Sequence, residues 1–165
     1  MDNNTLSVLD NDELLSITRW HLDQSQFGNA LLYAKHLLVR KDVPVEAYRL
    51  AAKIYAQLGL FNQAKAAFKN FIDQSPDALT EVFQYGMVHF DSGDSDAAVK
   101  IWKDVLAKET TYPPALFYSA LALANQDKAS ESLRHLDVLI KSAPSQNKTA
   151  RVGRWFPWPA HLSRF

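Results

Sequence analysis

The chain has no cysteine, which removes disulfides, thiolate-bound metals and cysteine nucleophiles, and leaves the redox compartment undetermined. Glycine is scarce, five in 165 residues, and Gly59, Gly86 and Gly93 stand apart instead of forming a phosphate-cradling loop after a strand. No apolar run approaches the roughly twenty residues of a membrane span. Residues 1–13 are polar and acidic with no apolar stretch, so no signal peptide is expected there and a cytoplasmic address is the default. Net charge is also missing, with 18 basic against 18 acidic residues, but its distribution is uneven. Residues 147–165 carry Lys148, Arg151, Arg154 and Arg164 and no carboxylate, which leaves fourteen basic against eighteen acidic residues for the rest. An acidic body is a poor general binder of nucleic acid, because phosphate neutralisation needs a concentrated basic surface.

Catalytic patterns are missing as well. The histidines His21, His36, His89, His135 and His161 form no HExxH and no i, i+4 pair, and no carboxylate ligands cluster with them. Asp91, Asp94 and Asp96 superficially resemble a calcium loop, but Gly93 lies between the first two and no bidentate glutamate follows at the required distance. The chain is therefore read as a non-enzyme, with no catalytic residue, metal or cofactor assigned.

A period of 34 residues is present. It relates Ala64, Ala98 and Ser132, then Phe68, Trp102 and Leu136, then Pro76, Thr110 and Pro144. The blocks run 45–78, 79–112 and 113–146, and a weaker copy at 11–44 places Ala30 and Leu37 in register with Ala64 and Phe71. Within a block, Tyr48, Ala51, Ala52 and Tyr55 form the i, i+3, i+4, i+7 stripe of one helix, and Ala64, Ala67, Phe68 and Phe71 repeat it for a second. The small side chains of Ala52 and Ala64 let the two helices approach closely. Gly59 and Gly93 are expected as left-handed C-caps, Asn62 and Ser95 as N-caps, and Pro76, Pro113 and Pro144 as punctuation. A sustained period of this length means stacked helix pairs that bury their core between neighbours.

Block 45–78 resembles the tetratricopeptide repeat (TPR) family through Tyr48, Ala52, Tyr55, Gly59, Ala64, Phe68 and Pro76. Block 79–112 keeps Gly86, Gly93, Ala98 and Trp102, with His89 and Thr110 departing from the pattern. Block 113–146 keeps Ala120, Leu136 and Pro144, with Asp127 for the turn glycine and Ser132 for the alanine. The resemblance implies an all-α TPR-type solenoid of three clear repeats plus one degenerate N-terminal repeat at 11–44. A lead, 1–10, precedes it, and a basic aromatic tail, 147–165, with room for a short capping helix, follows.

In that family the second, fifth, ninth, twelfth and thirteenth positions line a concave, ligand-binding groove. Here the resemblance assigns Glu46, Arg49, Lys53, Ala56 and Gln57, then Thr80, Phe83, Met87, Phe90 and Asp91, then Pro114, Phe117, Leu121, Ala124 and Asn125. The expected groove is cationic at Arg49 and Lys53 and apolar at Phe83, Met87, Phe90, Phe117 and Leu121. Segments 82–90 and 115–124 are then apolar nearly all round and need cover. A partner's protein segment is one occupant. The chain's own tail, through Arg154, Trp155, Phe156 and Trp158, is the other, and the same motif offers self-association or an anchor in a larger complex. Membrane contact by this tail is disfavoured without a long amphipathic helix. Leu50, Gln84 and Tyr118 at the sixth positions do not form the family's carboxylate clamp. The expected function is a protein-interaction adaptor or an assembly or secretion chaperone, with a structural subunit as the alternative.

Overall fold

The computed structural model describes residues 8–142, and every regular element among them is an α-helix. The helices are α1 (Asn11–Asp23), α2 (Phe27–Leu38), α3 (Val45–Gln57), α4 (Phe61–Gln74), α5 (Leu79–Asp91), α6 (Ser95–Lys108), α7 (Pro113–Asn125) and α8 (Ala129–Ser142). The expected tail motif, Arg154, Trp155, Phe156 and Trp158, lies outside the described residues. Two compact units divide the chain between Asp94 and Ser95, the first holding α1 to α5 and the second α6 to α8.

One turn geometry recurs with the period. Ser25, Gly59, Gly93 and Asp127, each 34 residues after the last, adopt φ of 56°, 70°, 88° and 59°. At each, the left-handed residue donates its N–H to the carbonyl three residues back, as Gly59 does to Ala56 at 3.0 Å and Asp127 to Ala124 at 3.1 Å. The following N–H reaches five back, from Leu60 to Tyr55 and from Lys128 to Leu123, both at 2.9 Å. This Schellman pair satisfies carbonyls that a helix end otherwise leaves open. Gly59 and Gly93 thus take the conformation expected of them, and Ser25 and Asp127 take it with a Cβ.

The expected N-caps shift for the same reason. The residue after each left-handed position already stands at the next helix's cap, so α4 starts at Phe61 behind Leu60 and carries Asn62 inside its first turn. Ser95 likewise is the first residue of α6, not its cap. A side-chain cap does occur at α1, where the Asp10 carboxylate accepts from the Glu13 N–H at 2.8 Å and Glu13 accepts from the Asp10 N–H at 2.9 Å. Pro113 opens α7, where its missing donor costs nothing.

In the first unit, α1 packs on α2, α2 on α3, α3 on α4 and α4 on α5, and α1 also touches α3. Ala30, Ala34, Ala51, Ala52, Ala64 and Ala67 are buried in one cluster with Ile54, Phe68 and Val88. The alanine seam brings backbones close, and Phe68 fills the space beyond it, contributing about 2–3 kcal/mol by burial. A second cluster of Leu14, Tyr33, Leu37 and Ala47 ties α1 to α2 and α3. In the second unit α7 packs on α6 and α8. Its core holds Val99, Trp102, Val105, Leu116, Ala120 and Leu123, all buried, with the Trp102 and Tyr118 rings 6.0 Å apart.

Candidate protein-binding face

The first unit presents a chain of charges across its odd-numbered helices. Arg19 of α1 lies 3.1 Å from Glu46 of α3, Glu46 is hydrogen-bonded and ion-paired to Arg49, and Glu81 of α5 lies 3.4 Å from Arg49 and 3.7 Å from Lys53. Such pairs need α1, α3 and α5 to lie with these positions on a common side. Arg19 and Lys53 occupy the same ninth position one period apart, and Met87 follows at the next.

Charge and burial set the protonation of this cluster. The Arg49 guanidinium bonded to Glu46 holds that carboxyl below the ordinary carboxylate value, against burial, and Arg19 adds to the effect. Glu46 in turn raises Arg49. Burial first and the nearby Arg49 second push the Lys53 ammonium below its ordinary value, with Glu81 pulling the other way. Three cations thus share two carboxylates. The cationic stretch expected at Arg49 and Lys53 is instead a charge-paired cluster with one surplus cation, because Glu46 pairs with Arg49 and Glu81 reaches both Arg49 and Lys53. Arg19 and Glu81 escaped the sequence reading; the ninth-position register of Arg19 was the available signal, and Glu81 carried none.

On α5, Phe83, Met87 and Phe90 follow an i, i+4, i+7 stripe and are half-buried. Phe83 and Met87 hold the positions that Arg49 and Lys53 hold one period earlier. In the second unit, Phe117 of α7 is half-buried with its ring edge-on to Tyr118 at 5.3 Å, and Leu121, one turn on, is 40% exposed. Ala124 and Asn125 are exposed beside them. The faces of α5 and α7 are therefore partly covered and partly open.

Three buried polar atoms among the described residues have no hydrogen-bond partner: Gln84 Oε1, His89 Nε2 and Ser119 Oγ. The other His89 nitrogen, Nδ1, lies 3.1 Å from an Asp94 carboxylate oxygen, and the ring meets Tyr85 edge-on at 4.8 Å. A shallow concavity beside the start of α1 is lined by Asp10, Asn11, Asp12, Arg40, Lys41 and Asp42, a mixed set without a nucleophile. No group of three metal-ligating side chains occurs among the described residues, and no helix among them is long and apolar enough to cross a membrane.

Residues 46–78 match the tetratricopeptide repeat family model. No curated protein sequence matches the chain. Among solved structures, the crystal structure of MamA superposes with a TM-score of 0.75 at 16% identity, over 79% of this chain and 76% of that one. A MamA fragment from Desulfovibrio magneticus RS-1, residue 41 to the end, gives 0.74 at 9% identity over 80% and 75%. TTC0263, a thermophilic TPR protein of Thermus thermophilus, gives 0.64 at 22% identity over 82% and 75%. These likenesses establish an all-α, TPR-type fold.

Proposed function

We propose that this chain, a tetratricopeptide-repeat protein, is a non-enzymatic interaction adaptor that holds a segment of another protein against the face of its first unit carrying the second, fifth and ninth positions of α1, α3 and α5. The carrying observation is the presence in the first unit of a charge cluster with one surplus cation and, on α5, of the half-buried apolar stripe Phe83, Met87 and Phe90, whose first two members stand one period after Arg49 and Lys53. A segment with acidic residues at one end and apolar side chains at the other complements both features. Apolar anchors supply affinity and the charges set direction. Phe117 and Leu121 of the second unit offer the same chemistry.

An assembly or secretion chaperone is the more specific form of this reading, and it requires a partner that aggregates when alone. The alternative, a structural subunit, rests on Arg154, Trp155, Phe156 and Trp158, outside the described residues.

Affinity capture from cells that make the protein, compared across wild type, Lys53→Glu and Met87→Asp, tests the adaptor. One partner should dominate the wild-type capture and fall at least tenfold with Met87→Asp, while far-ultraviolet circular dichroism of the variant stays at the parental level. Lys53→Glu should weaken the same partner, and added salt should reduce the difference. Equal recovery of that partner with both variants would overturn the assignment of the face.

A further inference from the structure

The last described helix carries an apolar stripe that the described elements leave largely open at two of its positions. On α8, Leu133 is 65% exposed and Ile140 is 73% exposed. They share a stripe with Leu136, half-buried between them, and Ala129, at spacings of four, three and four residues. Isolated exposed leucines need no explanation, but a helical stripe ending in two nearly open side chains does.

The first unit shows how this face is covered elsewhere in the chain. Helix α4 lies two periods before α8, residue for residue: Phe61 corresponds to Ala129, Phe68 to Leu136 and Ile72 to Ile140. Helix α5 covers that face of α4. Tyr85 sets its ring 6.4 Å from Phe68, Val88 is buried in the same cluster, and Phe61 and Ile72 pack against that cluster. Two periods after α5 come residues 147–159. They hold Val152, Trp155, Phe156 and Trp158, and Phe156 falls at the register of Val88. The face on α8 gains an apolar side chain where Lys65 on α4 becomes Leu133, and it carries smaller ones where Phe61 and Phe68 become Ala129 and Leu136, so larger rings opposite it would restore the apolar bulk.

We propose that the chain's own residues 150–158 dock on this face of α8, with Trp155, Phe156 and Trp158 against Leu133, Leu136 and Ile140. The segment would then act as the terminal cap that a repeat array requires when its last helix lacks a following repeat. This occupant is distinct from a tail lying on the face of α5 or α7, and it leaves that face to a partner.

The absence of cysteine allows a direct test. Ile140→Cys and, separately, Leu133→Cys place one thiol on the face at positions whose side chains are largely open. The rate of reaction with a small aromatic disulfide reagent is compared with Lys100→Cys, an exposed position on α6. Both thiols should react at least tenfold more slowly than the thiol at position 100, at a rate unchanged by tenfold dilution. The protection should disappear when Trp155→Ser, Phe156→Ser and Trp158→Ser are added. Rates equal to the reference would overturn the docking and leave the face to another protein. Protection lost on dilution would assign it to a second copy, and protection that survives the triple substitution would assign it to some other segment. The comparison with position 100 stands even where the triple variant loses helicity.

Discussion

Glu81 reaches from α5 to Arg49 on α3, 3.4 Å away, with its side chain only 12% exposed. A carboxylate so enclosed depends on its cations, and Lys53 at 3.7 Å shares it. The pair also sets the electrostatics of the proposed binding face, because each carboxylate bound within the chain leaves less cation for a partner.

A double-mutant cycle of Arg49→Met with Glu81→Gln should return a coupling of about 0.5–1 kcal/mol in urea unfolding, the range of partly exposed pairs. Glu81→Gln alone should push Lys53 further below its ordinary value, since Glu81 is among the groups that hold it up. Nuclear magnetic resonance titration of the lysine reads this directly. A coupling of zero would mean that the ion pairs here do not contribute to stability.

Acid should weaken the first unit through Glu46. Its folded pKa is lowered, so the unfolded chain binds the proton first, and the stability it contributes is present above the unfolded pKa and lost as pH falls through the folded one. Glu46→Gln should therefore be less stable than the parent at neutral pH, by about 0.5–1 kcal/mol. The difference should close below the ordinary carboxylate range, as measured by urea midpoints across pH. A gap independent of pH would locate the effect in packing.

Two buried serines should respond in opposite directions. Ser132 donates its hydroxyl to the Ala120 carbonyl at 2.8 Å, so Ser132→Ala should cost about 0.5–1.5 kcal/mol. Ser119 Oγ is buried without a partner, so Ser119→Ala should be neutral or stabilising, because it removes an uncompensated desolvation. Thermal melts of the two variants check the sign of each.

The turn residues give a matched pair. Asp127→Gly should stabilise the second unit by up to about 1 kcal/mol by releasing a side chain from φ 59°. Gly93→Ala should destabilise by about 1 kcal/mol at φ 88°. Apart from Gly93 itself and its two chain neighbours, nothing lies within 4 Å of where a Cβ at this position would stand, so this cost is one of backbone conformation. Unchanged melting of Gly93→Ala would contradict the left-handed geometry.

Much of the helical framework was legible in the residues. Ala52, Ala64 and Phe68 announced a close helix pair because small and large side chains alternate at helical spacing, and all three are buried. The left-handed turns at Gly59 and Gly93 were legible because glycine is the residue such turns favour. At Ser25 and Asp127 only the 34-residue register marked the turn, since nothing in a serine or an aspartate demands positive φ; the Schellman bonds of the preceding helix impose it. Asn62 misled for a related reason. Its capping propensity is real, but the turn places Leu60 at the cap first.

By itself the sequence determined the period, the helices and the register in which Arg49 and Phe83, and Lys53 and Met87, stand one period apart, because these follow from the 3.6-residue turn of a helix and a fixed 34-residue spacing. Only tertiary structure decided what those residues meet. Arg19 finds Glu46 across 27 residues and Arg49 finds Glu81 across 32, and only the side-by-side placement of helices brings such partners within reach. The same is true of α8, whose apolar stripe is written in the chain but whose open state depends on which element lies beside it. Periodicity is a property of one helix, whereas pairing and exposure are properties of its neighbours.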